Sequence, residues 1–485
     1  MSLRWQILKP GIFLIEADGF RPVLYAPLQG LAMEVNRAYV QRFCAALDGD
    51  VSSAGSLGLT PAILDSFIQT PPRLAGRLDP KWSSAFEPTN VTVFLTHKCT
   101  MRCSYCYCHG GEGGDMPWPV FEHALKFTAD NARRLQRGMN FSVHGGDVGA
   151  CWPLFQDAVA FAERICAEAG IPLQMTIGTN GFYSDQQARY VAEHVHSATL
   201  SVDGAPPVHD RYRRTVNGQP TLDRILRTAR IFEEKGITYS VRMTVTDEAV
   251  SVLPEGVDYV CRNTQAKAIR AEPLYCRGRA ATSHLRAPDP ESFVDAFRKA
   301  SQVARSLGRE LSYSGARLIG VYGAFCSYPE PTFGVTPEGN LTCCYEILHP
   351  DDPLRDPFFF GKIAEDGSRM DVDPARVEAI RAWARNRRAE CAGCFCVNAC
   401  AGDCAAKVMD GALPEDDVPK RCRITRALVY DMIRAVLSGE NPNPRTFIPR
   451  ADIPEGTLCN CVDCSKPAFP GEQGPGTRAE PGPAP

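Results

Sequence analysis

Three cysteines are spaced four and three residues apart, at Cys99, Cys103 and Cys106. They directly follow residues 91–97, an apolar and β-branched run that is typical of a buried strand. Three thiolates can bind three irons of a cubane iron–sulfur cluster. The fourth iron then keeps the open coordination position that a catalytic metal needs. The same spacing also marks one face of a helix, so a buried cysteine stripe is the alternative. Cys108 does not fit the spacing and is predicted to be a bystander.

The other cysteines are also grouped. The chain has 21 cysteines, an odd number that cannot pair completely, and grouped thiols in a reducing compartment indicate metal ligands. Structural zinc sites use similar cysteine pairs and are the alternative to iron. The second group and its flanking cysteines are Cys326, Cys343, Cys344, Cys391, Cys394, Cys400, Cys404 and Cys422. The third group has three open interpretations, namely closing over an open iron, holding a metal transiently, or no role. Its members are Cys459, Cys461 and Cys464.

Strand and helix patterns alternate in the middle of the chain. Apolar runs predict strands, and amphipathic stretches between them predict helices. Six βα units in a row indicate an α/β fold with a parallel sheet that curves into a partial (β/α)6 barrel. The predicted strands are residues 91–97, 140–144, 174–179, 199–203, 239–246 and 267–272. The predicted helices are residues 119–136, 153–169, 184–194, 221–235 and 250–262.

The flanking regions differ in pattern, and four domains are predicted: residues 1–87, 88–315, 316–438 and 439–485. The first contains extended pieces at 5–8, 12–16 and 22–25, a helix over 31–47 and a loose stretch over 51–87. Regular structure is predicted to be weak over 326–422, and a helix follows over 423–437. The last region is rich in Pro and Gly, and residues 471–485 are predicted to be disordered.

Charge and hydropathy exclude several classes of protein. The formal net charge is −3, which gives no support for nucleic-acid binding. No apolar run reaches the length of a membrane span, and the apolar stretch near the start ends at Glu16, too early for a secretory signal. We therefore expect a cytoplasmic protein with no nucleic-acid or membrane partner.

Cys-x3-Cys-x2-Cys, with Tyr105 just before the last cysteine, resembles the radical S-adenosylmethionine (SAM) superfamily. The resemblance implies a [4Fe–4S] cluster at Cys99, Cys103 and Cys106 that reductively cleaves SAM. It extends to motifs at the ends of later strands and in the segment after the fourth strand. By resemblance, Gly145, Gly146 and Asp147 receive the SAM amino group, Ser201 binds the ribose and Arg213 binds the carboxylate. Asn180 ends the third strand within the same predicted SAM site.

The cysteine order from Cys326 to Cys422 resembles the SPASM domain of peptide-modifying radical SAM enzymes. That resemblance implies two auxiliary [4Fe–4S] clusters, three in all. One takes Cys391, Cys394, Cys400 and Cys422, and the other takes Cys326, Cys344 and Cys404. The fourth ligand position of this second cluster is open to Cys343 or to substrate. Tyr345 stands where sulfatase maturases carry an Asp base, which counts against sulfatase maturation, although Tyr345 can itself relay a proton.

The start of the chain resembles the turn-then-helix portion of leader-peptide-recognition domains, and a plain packing domain is equally open. Together the resemblances imply a maturase that abstracts hydrogen from a peptide or protein substrate, with an electron donor such as flavodoxin or ferredoxin. The product is then a crosslink, a thioether, an oxidation or an epimerised residue. The alternatives are a radical SAM enzyme acting on a small molecule or tetrapyrrole, a sulfatase-maturase-like protein, and a non-catalytic electron carrier.

Overall fold

The computed structural model describes residues 2–69, 74, 78, 85–111, 113–318, 320–326, 332–410 and 417–439. Cys459, Cys461 and Cys464, and the tail predicted to be disordered, lie outside these residues. No helix within the described ranges is long and apolar enough to cross a membrane.

Fifteen strands form two sheets within the described residues. In chain order they are β1 Leu3–Lys9, β2 Ile12–Ala17, β3 Val23–Ala26, β4 Leu31–Glu34, β5 Asn90–Val93, β6 Met139–Val143, β7 Leu173–Thr179, β8 Ser197–Ser201, β9 Thr238–Val245, β10 Ala268–Pro273, β11 Glu310–Ser312, β12 Thr332–Val335, β13 Asn340–Thr342, β14 Phe359–Ile363 and β15 Met370–Val372. The α-helices are Arg37–Leu47, Val51–Ser56, Pro61–Ile68, Trp118–Arg134, Trp152–Ala169, Asp185–His194, Pro206–Tyr212, Leu222–Lys235, Leu253–Asn263, Arg279–Thr282, Pro290–Ser306, Arg355–Phe358, Pro374–Glu390, Val397–Cys400, Ala405–Met409 and Asp417–Leu437.

The large sheet has the order β11-β10-β9-β8-β7-β6-β5-β12-β13-β14-β15. Strands β5 to β10 are the six predicted parallel strands, each beside its neighbour in sequence. The five predicted helices are also present. The helix Leu222–Lys235 illustrates why: its apolar positions recur at helical spacing and are buried, and Gly236, at φ +74°, ends it. Residues of all six strands line one cavity, so the sheet curves around it.

The N-terminal sheet differs from the prediction at two places. Residues 31–34 were expected to begin a helix, but they form β4, which pairs with β3. The helix Arg37–Leu47 begins only after Asn36, whose side chain accepts the Tyr39 amide hydrogen bond. The stretch over 51–87 was expected to be loose, but it contains two helices, capped by Asp50 and Thr60.

The cysteine-rich segment also has more regular structure than predicted. Strand β12 pairs in parallel with β5, and β13 to β15 extend the same sheet in antiparallel fashion. The helix Pro374–Glu390 ends at Cys391. The predicted helix over 423–437 is the longer helix Asp417–Leu437. The thiols of this segment are therefore held by a continuation of the central sheet and by two long helices.

The N-terminal sheet packs against the cysteine-rich segment. The Trp5 indole N–H donates to the Gly393 carbonyl at 2.8 Å, and its ring lies 5.5 Å from that of Phe395. The Arg426 guanidinium covers the other part of the Trp5 ring at 4.7 Å. The sheet nonetheless has a core of its own, built on Ile12, Leu24, Phe43 and neighbours.

Candidate functional site

The cysteine loop that follows β5 forms one wall of a cavity of about 440 Å³. Cys99, Cys103 and Cys106 all line it, at the carboxyl ends of the parallel strands where active sites of such folds lie. The Met101 amide donates to Cys99 Sγ at 3.4 Å, and the Gly110 amide donates to Cys106 Sγ at 3.4 Å. Amide donors aimed at sulfur stabilise thiolates, which are the form that binds metal.

The loop packs closely beside these sulfurs. A Cβ added at Gly110 would lie 3.3 Å from Cys99 Cβ and 3.5 Å from Cys106 Sγ, so a larger residue there would press on Cys99. Burial raises the pKa of Cys99 to about 12 and that of Cys103 to about 11. Cys106 differs because the neighbouring Cys108 thiol, 3.5 Å away, donates a hydrogen bond that lowers its pKa. Cys108 therefore touches a candidate ligand, although its spacing predicted a bystander. Three half-buried thiols that line one cavity fit an iron–sulfur cluster with one open position.

Asp147 is turned into the protein, although the resemblance implies that it meets the SAM amino group. Its side chain accepts the Gly149 amide at 2.9 Å, the Asn180 amide at 2.9 Å and the Thr179 hydroxyl at 2.7 Å. It is 4% exposed, and burial raises its pKa. The carboxylate thus ties the end of β6 to the end of β7. Gly145 and Gly146 do line the cavity, and Asn180 Nδ2 donates to Cys99 Sγ at 3.5 Å.

A buried ion pair lies at the end of β8. Arg213 Nε donates to Asp203 Oδ2 at 2.8 Å, and Arg213 Nη2 donates to Oδ1 at 3.3 Å. The Tyr105 hydroxyl donates to the same carboxylate, and the guanidinium lies over the Tyr105 ring at 5.2 Å. Burial would raise the pKa of Asp203, but the charge and hydrogen bonds of Arg213 outweigh it and hold the pKa below its usual range. Arg213 and Ser201 both line the cavity, as does Tyr105.

These motifs have counterparts in known proteins. The family model described as Radical SAM superfamily matches residues 93–250, which hold the cysteine loop and the ion pair. This segment is a radical SAM domain. Two curated relatives are similar: sporulation killing factor maturation protein SkfB of Bacillus subtilis (strain 168), 22% identical over 224 residues, and pre-heme d1 synthase of Dinoroseobacter shibae, 27% identical over 191 residues. The matches cover 46% and 38% of this chain, and 50% and 42% of those proteins. The chain thus spans about half the length of the curated relatives it matches.

Solved structures give the fold of the radical SAM domain and its extension. Native anSMEcpe with bound AdoMet and Cp18Cys peptide has a TM-score of 0.56 at 17% identity. The alignment covers 73% of this chain and 99% of that one, so it extends well beyond the radical SAM domain.

The cysteines downstream of the radical SAM domain fall into two sets. Cys391 interacts electrostatically with Cys394, Cys400 with Cys394 and Cys422, and Cys422 with Cys391 and Cys394. These four cysteines are the ones predicted for the first auxiliary cluster, and Cys396 belongs to the same group because it interacts electrostatically with Cys394 and Cys400. Cys394 is the most acidic, because a hydrogen bond from Cys396, helped by Arg426, lowers its pKa to about 6.

The second set lines the same cavity as the first cysteine loop. Cys326, Cys343, Cys344 and Cys404 all face it. Cys326 interacts electrostatically with Cys404 and with Cys343, and Cys344 with Cys404 and with Cys343. Among the described residues, no three His, Cys, Asp or Glu side chains are grouped so as to hold one metal ion. Ligands of a cubane bind different irons and stand farther apart than the ligands of one ion, so both all-thiol sets still fit a cluster.

Tyr345 lies beside the cavity between the two cysteine regions. Thr92 Oγ1 donates to the Tyr345 hydroxyl at 3.2 Å, and the ring lies 5.1 Å from that of His144. Burial, with the nearby charge of Arg242, lowers the pKa of His144 to about 4, so the imidazole is neutral. His144 was assigned no role from the sequence. Its position after a strand and before two glycines is the signal that it faces the cavity.

Asp203 is the functional residue that sequence reasoning assigned no role. Its signal is its spacing: an acid at a strand end, followed ten residues later by the predicted SAM-binding Arg213. The pair places a fixed, positively charged fork on the cavity wall.

Proposed function

We propose that this chain is a radical SAM maturase that cleaves SAM reductively and abstracts hydrogen from a peptide or protein segment. One observation carries the proposal: a single cavity is lined both by Cys99, Cys103 and Cys106 and by the thiols of the Cys326 set. A substrate in that cavity would meet a SAM-cleaving centre on one side and an auxiliary centre on the other.

The first cysteine loop would hold a [4Fe–4S] cluster, which when bound supplies the electron that cleaves SAM to methionine and a 5′-deoxyadenosyl radical. The chain itself binds and orients. Arg213 keeps Nη1 free of Asp203 and can donate to the SAM carboxylate from a rigid position. Ser201 lines the same cavity for the ribose, and Gly145 and Gly146 line it for the amino group. Asp147 fixes the loops that carry these groups.

The auxiliary sets would hold two further [4Fe–4S] clusters. Cys391, Cys394, Cys400 and Cys422 supply four thiols to one. The other takes Cys326, Cys344 and Cys404, and we propose that the buried Cys343 is its fourth ligand. Electrons from a flavodoxin or ferredoxin would enter through these centres.

Two features support a peptide substrate. SkfB is by name a maturation protein, and the anSMEcpe structure contains a peptide. In addition, β1 is an edge strand of the N-terminal sheet, and an extended leader peptide can pair with such an edge. A second candidate, modification of a tetrapyrrole, is favoured by the similarity to pre-heme d1 synthase.

SAM cleavage tests the proposal directly. Anaerobically reconstituted protein is reduced with dithionite in the presence of SAM, and 5′-deoxyadenosine is measured by mass spectrometry. We expect the wild type to form it and the triple variant C99A/C103A/C106A to form none. The matched control is Cys166→Ala, a buried cysteine of the helix Trp152–Ala169 outside every predicted ligand set. Deoxyadenosine formation by the triple variant would contradict the proposed site.

A further inference from the structure

A row of polar side chains crosses the sheet at the level of the proposed ribose-binding residue. Ser201 of β8 pairs in register with Arg242 of β9, which pairs with Arg270 of β10. Arg270 pairs in turn with Ser312 of β11. All four residues line the cavity. Because paired residues on neighbouring strands point to the same face, the two guanidinium groups enter the cavity side by side.

Arg242 is an exposed cation inside this cavity. Within the described ranges, its guanidinium makes no hydrogen bond and no ion pair. Its charge acts on Tyr107, His144 and Arg270, which are neutral or cationic. Apart from Arg270 and Glu272, the other ionic side chains on the cavity wall are paired in the described structure: Arg213 with Asp203, Asp403 with Arg421, and Lys407 with Glu346.

The positive charge of Arg270 is only partly compensated by nearby acids. Glu272 and Glu310 act on it electrostatically, but neither forms an ion pair with it in the described structure. Glu272 is engaged by Ser314, whose amide and hydroxyl donate to it at 3.0 and 2.9 Å. Burial lowers the pKa of Arg270, and the neighbouring charge of Arg242 acts in the same direction. Two adjacent guanidinium groups repel each other, and an anion placed between them would remove that repulsion.

The floor below the two arginines suits an ionic ligand. Hydroxyl and amide side chains of β5 to β9 line it beside apolar ones: Thr92, Asn140, Ser142, Thr176, Thr199 and Ser240. A charged group that enters this space exchanges water for these polar partners, so its desolvation is partly offset. A purely apolar substrate side chain would leave these polar groups facing it.

We propose that Arg242, with Arg270 beside it, binds a carboxylate of the substrate, namely an Asp or Glu side chain or a C-terminal carboxylate. This inference rests on the proposed peptide maturase function. A guanidinium fork binds both oxygens of a carboxylate, which fixes the orientation of the group as well as its charge. The substrate would thus be anchored by its acid on β9 and β10 while a neighbouring carbon faces the SAM site.

SAM also carries a carboxylate, and the layout favours the substrate as the ligand of Arg242. Arg213 lies over the Tyr105 ring at 5.2 Å, and Arg279 Nη2 donates to the Gly110 carbonyl at 2.9 Å, so both contact the cysteine loop where SAM would bind. Arg242 makes no hydrogen bond to that loop within the described residues, and it stands on β9 beside Arg270 of β10.

The test uses a displayed library of random twelve-residue peptides, selected anaerobically against the reconstituted full chain with SAM bound. Peptides selected by the wild type are expected to carry Asp or Glu at one fixed position. Dissociation constants are then measured for a selected peptide and for its Asn or Gln counterpart. Loss of a charged hydrogen bond of this kind should weaken peptide binding about tenfold to hundredfold. We expect this loss when the wild type binds the amide counterpart, and when R242Q or R270Q binds the acidic peptide. R242K, which keeps the charge without the fork, should fall between.

The control is R189Q, which removes an exposed arginine from the helix Asp185–His194 and should select like the wild type. Iron content and circular dichroism of every variant verify folding. Wild-type selection without a fixed acid, or acid preference that persists in R242Q, would overturn the proposal. So would a tenfold rise in the SAM dissociation constant of R242Q with unchanged peptide selection, because the carboxylate would then be that of SAM. Failure of the proposed maturase function can be told apart from failure of this proposal, because the wild type would then form no 5′-deoxyadenosine.

Discussion

Replacement of Asp203 by Asn is expected to destabilise the radical SAM domain severely. Asp203 is 4% exposed and Arg213 8%, so the exchange leaves a guanidinium buried against a neutral amide. The Asp203 carboxylate also accepts the Thr244 amide at 2.9 Å and the Tyr105 hydroxyl. The two oxygens are thus surrounded by donors, and the new NH2 group must face one of them.

The magnitude follows from the burial of the pair. Removing one partner of a buried ion pair costs about 3–5 kcal/mol, against a total of roughly 5–15 kcal/mol for a domain. Arg369 and Asp371 form a matched exposed pair. Their Nε and Oδ2 atoms lie 2.9 Å apart, and their side chains are 74% and 66% exposed. D371N should cost less than about 1 kcal/mol, because solvent already screens that pair.

The assay is denaturant unfolding of reconstituted protein, followed by far-ultraviolet circular dichroism, for the wild type, D203N and D371N. The double variant D203N/R213Q should recover at least half of the D203N loss, because it removes the uncompensated charge. A D203N loss no larger than that of D371N would refute the reasoning. The reasoning would also be refuted if the double variant lost more unfolding free energy than the two single variants lose together.

Three further predictions concern metal content, pH and packing. Reconstituted wild type should contain about twelve irons, and the variant lacking the thiols of Cys99, Cys103 and Cys106 about eight, by iron assay. His209 is fully buried, and burial lowers its pKa to about 4. Since the unfolded state protonates near 6.5, stability falls as pH drops from 6.5 towards 4, and wild type should lose about 2 kcal/mol more than H209Q between pH 7 and pH 5, by denaturant midpoints. Trp5→Ala should speed hydrogen exchange in the cysteine-rich loop that the indole contacts, and unchanged exchange would contradict that contact.

The repeated βα units were predictable because periodicity and length alone distinguish them. β4 was not: residues 31–34 read as part of a helix, and only pairing with β3 makes them a strand. Asn36, a residue type that caps helices, marks the true start in the sequence. The strands β12 to β15 were missed because runs of three to five residues carry little pattern, and their stability comes from joining an existing sheet.

The grouping of the cysteines could be predicted because spacing carries that information, while their role as cluster ligands stays a prediction. The direction of Asp147 could not, since its reach to Thr179 depends on how the ends of β6 and β7 are set side by side. Arg242 and Arg270 were invisible for the same reason. They are far apart in the chain and meet only through the register of β9 and β10.

The pairing of β12 with β5 has a consequence for how the chain can be divided. Val91 and Val93 of β5 are the innermost positions of a strand whose second neighbour comes from the cysteine-rich segment. A chain cut before β12 would carry an intact first cysteine loop, yet it would present the bare backbone of β5 to solvent. Such an edge is a template for pairing with another copy. The two segments therefore cannot be exchanged independently between proteins. A shortened radical SAM domain would self-associate through β5. A cysteine-rich segment moved to another protein would need a strand there that pairs with β12 in the same register.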